Sequence, residues 1–513
     1  MRLARTPGTI HAHTALARPR LDPREHALER LRSEPFDLLV VGGGIIGAGV
    51  AEAASRHGFR VVLVERDDFA SGTSSASSKL VHGGLRYLRL GHFSLVREAL
   101  AEVHALSRIV APHLVRPLNF VLPVYRGGPY GRIPIRGALW SYAGLTGAVS
   151  ERGRMIAPAA AAQLVPPLRL DGLRAAGLYP DAQTDDARLC LANLRGAVDA
   201  GAVIVNRVEL VGLERGPVAH VRDTLTGEAL EVRPRAVVNA GGPWLDQVRR
   251  LEDAGAGTSV TLSRGAHLVL ERDGGWDAAV TIPIDRTRVS FAVPWAGRLL
   301  VGTTDSAFDG DARSIEPTQA EERQILDEAG LALDAAALGP VCASFAGIRV
   351  LPAGSVATAR AHRETMLSTG PLGMVSVAGG KLTTYRRIAL AVLHQLRAEL
   401  ELHRIDRRPR PLPGVADPDV AADALQRRHP DLDSRLAAHL SGTYGAFAED
   451  VIAAGPLDPL GDGLVEVEAQ VAYAREHEWA LNAEDILRRR TTLAVTGRDS
   501  DAVRDRVESL LAS

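Results

Sequence analysis

The segment FDLLVVGGGIIGAGVAEAASRHGFRVVLVE, residues 36–65, decides the fold of this chain. FDLLVV is a short apolar run, and a cluster of glycines follows it directly, which is typical of a buried parallel strand that leads into a helix. The pattern predicts that helix over residues 45–57, with Gly58 at the position of a C-cap. RVVLVE then forms a second buried strand, so the segment predicts one strand–helix–strand unit of about 30 residues.

Three glycines in this unit have the spacing of a dinucleotide-binding turn. Gly42 allows the tight turn, Gly44 lets the backbone approach a pyrophosphate, and Gly47 permits close packing of the helix on the strand. The phosphates then meet the free N–H groups at the start of the helix. Glu65 ends the second strand, where a carboxylate accepts hydrogen bonds from a ribose. NAD and FAD both fit this unit.

The composition of the whole chain excludes several classes of protein. The 513 residues carry a formal net charge of −1, so nothing global indicates nucleic acid. The two cysteines, Cys190 and Cys342, form no metal or disulfide motif, and no metal site is predicted. No apolar run approaches the roughly 20 residues that a membrane-spanning helix needs. The length predicts two or three domains.

Further along the chain, the residue pattern changes character twice. Residues 261–304 alternate in the manner of antiparallel strands, in HLVL, VSFAVP and RLLVGTT. Residues 409–418 contain four prolines and are typical of a linker. The remainder is charged and mostly helical in pattern. Residues 1–34, arginine-rich and without a continuous apolar centre, are interpreted as a flexible extension, with an organelle transit peptide as the alternative.

A series of motifs resembles the FAD-dependent (aerobic, respiratory) glycerol-3-phosphate dehydrogenase family. The first is RDDFASGTSSASSKLVHGGLRYLRLGHFSLVREAL at residues 66–100. The others follow in the family's order: YPDAQTDDARL at 179–189, VVNAGGPWLD at 237–246, RGAHLVL at 264–270, VGTTD at 301–305, AGIR at 346–349, GGKLTTYR at 379–386 and the C-terminal EHEWALNAEDILRRRTTL. The resemblance extends from about residue 36 to near residue 500.

This resemblance implies an α/β fold with three parts. They are a Rossmann-like FAD-binding domain of the D-amino-acid-oxidase type, an antiparallel-sheet substrate domain and a C-terminal helical domain. The expected oxidoreductase domain covers residues 35–400. Its FAD-binding parts are 36–125, 179–260 and 345–400, its substrate-sheet parts are 126–178 and 261–344, the linker is 401–418 and the helical domain is 419–513.

FAD is the cofactor that the resemblance implies. The serine-rich loop, residues 71–78, offers many hydrogen-bond donors to a pyrophosphate and to flavin edges. The glycine pair at 379–380 precedes a helix whose positive end stabilises the charge of a reduced flavin. The expected cofactor residues are Gly42, Gly44, Gly47, Glu65, Thr73, Ser74, Ser75, Ser78, Lys79, Leu80, Gly83, Val208, Gly241, Gly380, Lys381, Leu382 and Thr383.

The substrate that the family implies is glycerol 3-phosphate, whose phosphate suits the two-pronged guanidinium of arginine. The expected substrate contacts are Arg86, Tyr87, Arg349, Arg360 and Lys381, and Arg349 is also counted with the catalytic residues. His267 is the candidate base for the substrate hydroxyl, and His82 is the second candidate. One position departs from the family pattern, because Val350 stands where a proline usually follows this arginine.

The resemblance implies oxidation of sn-glycerol 3-phosphate to dihydroxyacetone phosphate by hydride transfer to FAD. Three alternatives and the identity of the electron acceptor stay open. The rivals are a glycerol-3-phosphate oxidase that uses O2 and releases H2O2, a flavin oxidase of the same fold acting on an amino acid, and a flavin-fold binding module without turnover. The family implies that a quinone or another acceptor takes the electrons. We therefore expect a cytoplasmic protein that is held peripherally at the inner face of the membrane. A homodimer is possible, and the sequence does not determine the oligomeric state. Arg488, Arg489 and Arg490 form a candidate membrane patch, or a solvated helix face.

Overall fold

Two large sheets and a group of C-terminal helices make up the computed structural model, which describes residues 24–85, 88, 92–146, 153–272, 275–276, 278–353 and 365–512. The predicted three-part α/β architecture is confirmed. A mostly parallel six-stranded sheet comes first, a mostly antiparallel ten-stranded sheet packs beside it, and helices form most of the C-terminal region.

The six-stranded sheet contains the unit that opens the sequence. Its strands run in the order β18-β19-β11-β1-β2-β7, and all neighbours are parallel except β18 and β19. The central strands are buried on both faces, which explains their unbroken apolar runs. The strands are β1 (Phe36–Val41), β2 (Val61–Glu65), β7 (Val203–Asn206), β11 (Pro234–Asn239), β18 (Met366–Thr369) and β19 (Val375–Ala378).

Helices cover both faces of this sheet, and one of them begins before the predicted start of order. α1 (Arg24–Ser33) buries Ala27, Leu28 and Leu31 along one face, and Arg24 pairs with Asp223 at 2.8 Å. The predicted flexible extension over residues 1–34 is therefore wrong for residues 24–33. The other helices of this domain are α2 (Ile45–Arg56), α6 (Asp186–Asp199), α7 (Leu245–Glu252) and α9 (Tyr385–Gln395).

The ten-stranded sheet forms the opposite wall of the molecule's central cleft. Its order is β16-β12-β15-β14-β13-β4-β6-β3, with β17 on β12 and β5 on β6, and only β13 and β4 pair in parallel. The strands are β3 (Leu80–Val81), β4 (Val115–Tyr125), β5 (Arg154–Ile156), β6 (Leu173–Thr184), β12 (Val260–Leu270), β13 (Ala278–Pro283), β14 (Val289–Trp295), β15 (Arg298–Gly302), β16 (Ser306–Phe308) and β17 (Val341–Pro352).

This sheet draws on more of the chain than the sequence predicted. β4 and most of β17 lie in segments that the resemblance places in the FAD-binding part, so this sheet extends past the predicted bounds at residues 125 and 345. α3 (Phe93–Ala105), α4 (Arg132–Thr146), α5 (Pro158–Leu164) and α8 (Gln319–Ala329) accompany it. A separate three-stranded sheet is formed by β8 (Val208–Glu214), β9 (Val218–Asp223) and β10 (Ala229–Val232).

The C-terminal helices form two further apolar clusters after a stretch without helix or strand over residues 402–411. They are α10 (Pro418–Arg428), α11 (Ser434–Tyr444), α12 (Ala448–Ala454), α13 (Glu468–His477), α14 (Ala483–Asp485) and α15 (Asp501–Ala512). Asn482 caps α14 by accepting a hydrogen bond from the Asp485 N–H at 2.9 Å.

A buried ion cluster joins these helices to the FAD-binding domain. The Arg490 guanidinium and the Arg489 guanidinium both bind the carboxylate of Asp68, and Arg489 also binds Asp485 at 2.7 Å. Arg490 is fully buried and Arg489 is 6% exposed. The candidate membrane patch at residues 488–490 is therefore wrong, since two of its three arginines lie inside the protein.

Candidate active site

A cavity opens between the two large sheets at the carboxyl ends of the parallel strands. Residues that follow β1, β2, β11 and β19 line one side, and residues of β12 and β17 line the other. This edge of an open α/β sheet is where such folds bind ligands. We call it the main cavity; its lining includes Gly42, Gly44, Glu65, Thr73, Ser74, Ser78, Leu80, His82, Asp186, Gly241, Trp244, His267, Arg349, Gly380, Lys381, Leu382 and Thr383.

The glycine turn after β1 has the geometry that its spacing predicts. Gly42 has φ +108°, and a Cβ there would lie 2.6 Å from the Ala240 carbonyl oxygen. A Cβ on Gly47 would lie 1.9 Å from the Gly42 oxygen, so only glycine lets α2 approach the strand. Gly44 is the N-cap of α2 and supplies no side-chain cap, and the first turn holds no acid. The positive end of α2 therefore faces the main cavity.

Glu65 holds this turn in place. Its Oε2 accepts a hydrogen bond from the Gly43 N–H at 2.7 Å, and its Oε1 accepts one from the Asp67 N–H at 2.9 Å. Burial raises the pKa of this carboxyl, against the effect of the two backbone donors. Each oxygen keeps a further lone pair, so the predicted ribose contact remains compatible with this role.

The serine-rich loop is fixed by an acid that the sequence reasoning did not select. The Ser77 N–H and hydroxyl donate to Asp186 Oδ2 at 3.0 and 2.6 Å, and Thr73 donates to the Ile348 oxygen at 2.7 Å. Lys79 donates to Asp186 Oδ1 at 2.6 Å and to the Ser75 oxygen at 2.7 Å. With 2% of its surface exposed, the Lys79 side chain lies beneath the loop. Its predicted side-chain contact with the cofactor is therefore corrected to a role in shaping the loop.

A second chain turn lines the main cavity beside the start of α2, where a Cβ on Gly380 would lie 3.2 Å from the Ile46 side chain. Gly380 has φ +108°, and residues 382–384 form a short 3₁₀ turn that leads into α9. Neither the turn nor α9 has a side-chain cap or an acid in its first turn. Thr383 accepts a hydrogen bond from the His82 N–H at 3.1 Å, which joins this turn to the loop after β3. The starts of α2 and α9 thus both lie at the main cavity, and neither has an acid in its first turn.

Several predicted residues do not line the main cavity. Gly47 and Ser75 support the turn and the loop from behind, and the Gly83 N–H donates to Asp181 at 2.8 Å. Val208 lines an adjoining depression together with Glu65 and Gly42, next to the predicted ribose position. Arg86, Tyr87 and Arg360 lie outside the described residues.

His267 lies on β12 in the wall of the main cavity. Its Nε2 is 2.9 Å from the Ser78 hydroxyl, its ring stacks on Phe345 with centroids 4.9 Å apart, and Nδ1 is buried without a hydrogen-bond partner among the described residues. Burial, with the positive charges of Arg349 and Lys79, lowers the pKa of His267 to about 3. The imidazole is therefore neutral at any ordinary working pH.

A second, mostly apolar pocket adjoins the main cavity. The two share Ser78, Leu80, His82 and Arg349, and we call the second one the side pocket. Its other walls include Phe120, Tyr130, Ile135, Ala138, Tyr179, Asp181, Thr281, Phe291 and Thr303.

Arg349 lies at the junction of the two cavities and is held there by three groups. It donates to the Thr303 hydroxyl at 2.7 Å and to the Arg264 oxygen at 3.4 Å, and Asp305 pairs with it at 3.5 Å. Thr303 and Asp305 belong to the motif VGTTD, which carries part of the family resemblance, but the sequence alone predicts no role for them. The register of β12 with β17 places Arg349 opposite Ser263, which donates to the same Asp305.

Asp181 is a further acid that sequence reasoning missed, although it stands in the quoted YPDAQTDDARL. Its Oδ1 accepts hydrogen bonds from the Gly83 N–H and the Tyr142 hydroxyl, both at 2.8 Å, and the residue lines the side pocket. Burial raises the pKa of Asp181 to about 7, although both donors act in the opposite direction.

Comparison with known proteins identifies the family. Residues 37–386 match the family described as FAD dependent oxidoreductase, and residues 408–513 match the C-terminal domain of alpha-glycerophosphate oxidase. The chain is 35% identical over 504 residues to glycerol-3-phosphate dehydrogenase 2 of Mycobacterium tuberculosis, which covers 93% of this chain and 84% of that protein. The chain belongs to the FAD-dependent glycerol-3-phosphate dehydrogenase family.

Two further relatives of this dehydrogenase family bear on fold and substrate. D-erythritol 1-phosphate dehydrogenase of Brucella abortus is 36% identical over 478 residues, 89% of this chain and 94% of that protein. The structure of glycerol-3-phosphate dehydrogenase from Bacillus halodurans, complexed with FAD, has a TM-score of 0.75 at 27% identity and covers 95% of this chain and 93% of that one. The predictions of family, fold and FAD as cofactor are confirmed.

The main cavity fits the family's FAD on chemical grounds. A pyrophosphate needs N–H donors without competing carboxylates. The start of α2 has no acid in its first turn, and the Ser74 hydroxyl accepts a hydrogen bond from its Ile45 N–H at 2.9 Å, so amides and a hydroxyl meet there. Of the two acids in the described lining, Asp186 is offset by its ion pair with Lys79 at 2.6 Å. Glu65 accepts hydrogen bonds from the Gly43 and Asp67 N–H groups and lies at the predicted ribose position. Trp244, which stacks under the Arg66 guanidinium at 4.1 Å, adds an aromatic wall.

Substitution of Gly265 by alanine is expected to displace Arg349 without unfolding the protein. A Cβ on Gly265 would lie 2.4 Å from the arginine Nη2, and the flexible end of that side chain is the part that moves. We expect FAD content and Tm close to those of the unchanged protein, and kcat/KM with a phosphorylated substrate lowered about tenfold, equivalent to about 1.4 kcal/mol. Unchanged kinetics would mean that the Arg349 position does not matter.

Substitution of Asp181 by asparagine is expected to change how stability depends on pH. Because the folded-state pKa of Asp181 is raised to about 7, the folded state binds its proton more tightly than the unfolded state does. The resulting stabilisation is present below about pH 4 and is lost as the pH rises through 7. Thermal unfolding at pH 5.5 and pH 8.5 measures this. The Tm of the variant relative to that of the unchanged protein should be higher at pH 8.5 than at pH 5.5. A constant difference would contradict this.

Proposed function

We propose that the protein oxidises sn-glycerol 3-phosphate to dihydroxyacetone phosphate. The names of the relatives support this substrate, and so does one observation on the site. Among the described residues, one arginine, Arg349, lies where the main cavity meets the side pocket, so it can bind a phosphate beside the position proposed for the flavin. Its planar guanidinium suits a phosphate, and its side chain is fixed by Thr303 and Asp305.

In the proposed reaction, bound FAD supplies the hydride acceptor. Arg349 and Lys381, both in the lining of the main cavity, hold the phosphate and orient the second carbon of the substrate. Arg86, Tyr87 and Arg360 are proposed as further contacts by resemblance. The carbon loses its hydrogen with the electron pair, the hydroxyl loses its proton, and a ketone results.

The hydroxyl proton requires a base that is unprotonated before the reaction. His267 meets this condition, because burial and the neighbouring cations keep it unprotonated down to a pH of about 3. The dianionic phosphate, bound at Arg349, offsets one of those cations and makes the imidazole a better base when substrate is present. His82, which lines both cavities, is the second candidate.

The electron acceptor is proposed to be a quinone, reached from the inner face of the membrane by a protein of the cytoplasm. The relatives' dehydrogenase names support an acceptor other than oxygen. Among the described residues, no helix combines the length and apolarity that crossing a membrane requires. The competing oxidase is kept as an alternative, since the C-terminal residues 408–513 match a domain named for alpha-glycerophosphate oxidase.

Steady-state assays separate these possibilities. The purified, FAD-loaded protein is expected to reduce an artificial dye and a short-chain quinone with sn-glycerol 3-phosphate, and to form little peroxide in air. Stoichiometric peroxide would identify the oxidase. Higher kcat/KM with D-erythritol 1-phosphate would transfer the proposal to that polyol phosphate, and turnover only with glycine or proline would overturn it.

A further inference from the structure

One surface helix, α4, presents apolar side chains on both of its faces. The inner face packs Ile135, Leu139 and Tyr142 into the core of the substrate domain. The outer face carries Ile133, 85% exposed, and Trp140, 81% exposed. Large apolar side chains so fully exposed are unusual, and in the described part of the chain none of the others exceeds 64%.

The outer face is a continuous strip. Positions 133, 137, 140 and 144 recur every three to four residues and so lie along one side of the helix. Positions 137 and 144 are glycines, and a Cβ at either would meet nothing within 4 Å. No described part of the molecule therefore covers this strip, and the glycines leave its two large side chains prominent.

The charges around the strip have one sign. Arg132 and Arg136 are exposed beside Ile133, and neither pairs with a carboxylate among the described residues. Residues 126–156 contain five arginines and one acid. Apolar and aromatic side chains bordered by arginine are the features of a helix that lies in a membrane interface, where tryptophan is enriched and anionic lipid attracts basic residues.

We propose that the outer face of α4 binds the protein to an anionic lipid surface. Charge complementarity favours lipid over a second copy, because a symmetric contact through this face would bring the arginines of both copies together. The inner face of the same helix contributes Ile135 and Ala138 to the side pocket. Membrane binding through α4 therefore brings the side pocket close to the lipid surface. This inference rests on the proposed transfer of electrons to a membrane acceptor.

Vesicle flotation of the full-length, FAD-loaded protein tests this surface. The protein is expected to float with vesicles that contain phosphatidylglycerol and not with pure phosphatidylcholine. The double variant Ile133→Ser, Trp140→Ser should lower the bound fraction about tenfold, and Arg132→Gln with Arg136→Gln should lower it on anionic vesicles. The matched control is Leu225→Ser with Val420→Ser, which removes two other exposed apolar side chains, 58% and 64% exposed, and should bind as before.

The outcomes separate this inference from the proposed function. All variants are expected to oxidise substrate with a water-soluble dye, because none of the changed residues lines either cavity, while activity with a long-chain quinone in vesicles should fall only in the α4 variants. Equal flotation of the α4 double variant and the control would overturn the inference. Failure of the unchanged protein to float would also overturn the inference. If the α4 double variant then changed the oligomeric mass of the protein, this face would be a contact between copies.

Discussion

Replacement of Arg349 by methionine is expected to lower kcat/KM for glycerol 3-phosphate about a thousandfold. A phosphate that loses a charged, hydrogen-bonded partner in a partly desolvated site loses about 2–5 kcal/mol, and each 1.4 kcal/mol is about tenfold. Arg349 is the arginine that the described residues place at both cavities, so no described arginine replaces it there. Steady-state kinetics with a dye acceptor measures the effect.

Two controls distinguish binding of substrate from damage to the fold. Arg298→Met removes another partly exposed arginine of the ten-stranded sheet, paired with Glu271 at 3.3 Å, and should leave kcat/KM unchanged. Arg349→Lys should recover part of the lost activity, because it restores the charge but not the two-pronged geometry. If Arg349→Met keeps its FAD and loses less than tenfold in kcat/KM, Arg349 does not bind the phosphate.

Replacement of Arg490 by methionine is expected to destabilise the protein by about 3–5 kcal/mol, the usual effect of removing one partner from a buried ion pair. Arg490 is fully buried, donates to Asp68 Oδ1 at 2.8 Å and donates to the Glu478 oxygen at 2.6 Å. Burial opposes the ionisation of Asp68, but the charges of Arg490 and Arg489 hold its pKa well below the ordinary value. Without Arg490, that carboxylate keeps one arginine in place of two. Thermal and urea unfolding measure the change.

The neighbouring residue provides a matched control. Arg488 is 37% exposed at its side chain, and Glu484, at 4.0 Å, is its one ion-pair partner in the described part of the chain. Arg488→Met should therefore change stability by no more than about 0.5 kcal/mol. Equal effects at the two positions would contradict the buried cluster. Phe69 follows Asp68 in the chain, and its ring lies so close to the glycine turn that a Cβ on Gly43 would be 2.5 Å from it. Because a shift of Asp68 in Arg490→Met would disturb this turn, we also expect the variant to bind FAD less tightly.

The sequence predicted best those features whose causes are local. The turn at Gly42, Gly44 and Gly47 needs only its own strand and helix, and its geometry follows from the absence of side chains. The apolar runs of β1 and β2 likewise indicated strands buried on both faces. In these cases the residue type determines the backbone, and partners elsewhere in the chain are not required.

Features that depend on distant partners were predicted less well. Lys79 was assigned to the cofactor because a lysine after a serine loop suits a phosphate, but its partner Asp186 is 107 positions away. The arginines at 489 and 490 resembled a solvated patch, because Asp68 is more than 420 positions distant. The Asp181 role was missed for the same reason, since its donors Gly83 and Tyr142 come from two other segments.

The most direct test of the proposed function is the visible spectrum of the purified protein without oxygen, before and after addition of sn-glycerol 3-phosphate. We expect a yellow protein whose flavin absorbance bleaches promptly with this substrate and not with glycerol, lactate or an amino acid. A flavin that remains oxidised in the presence of glycerol 3-phosphate, in protein that retains its FAD, would contradict the proposed reaction.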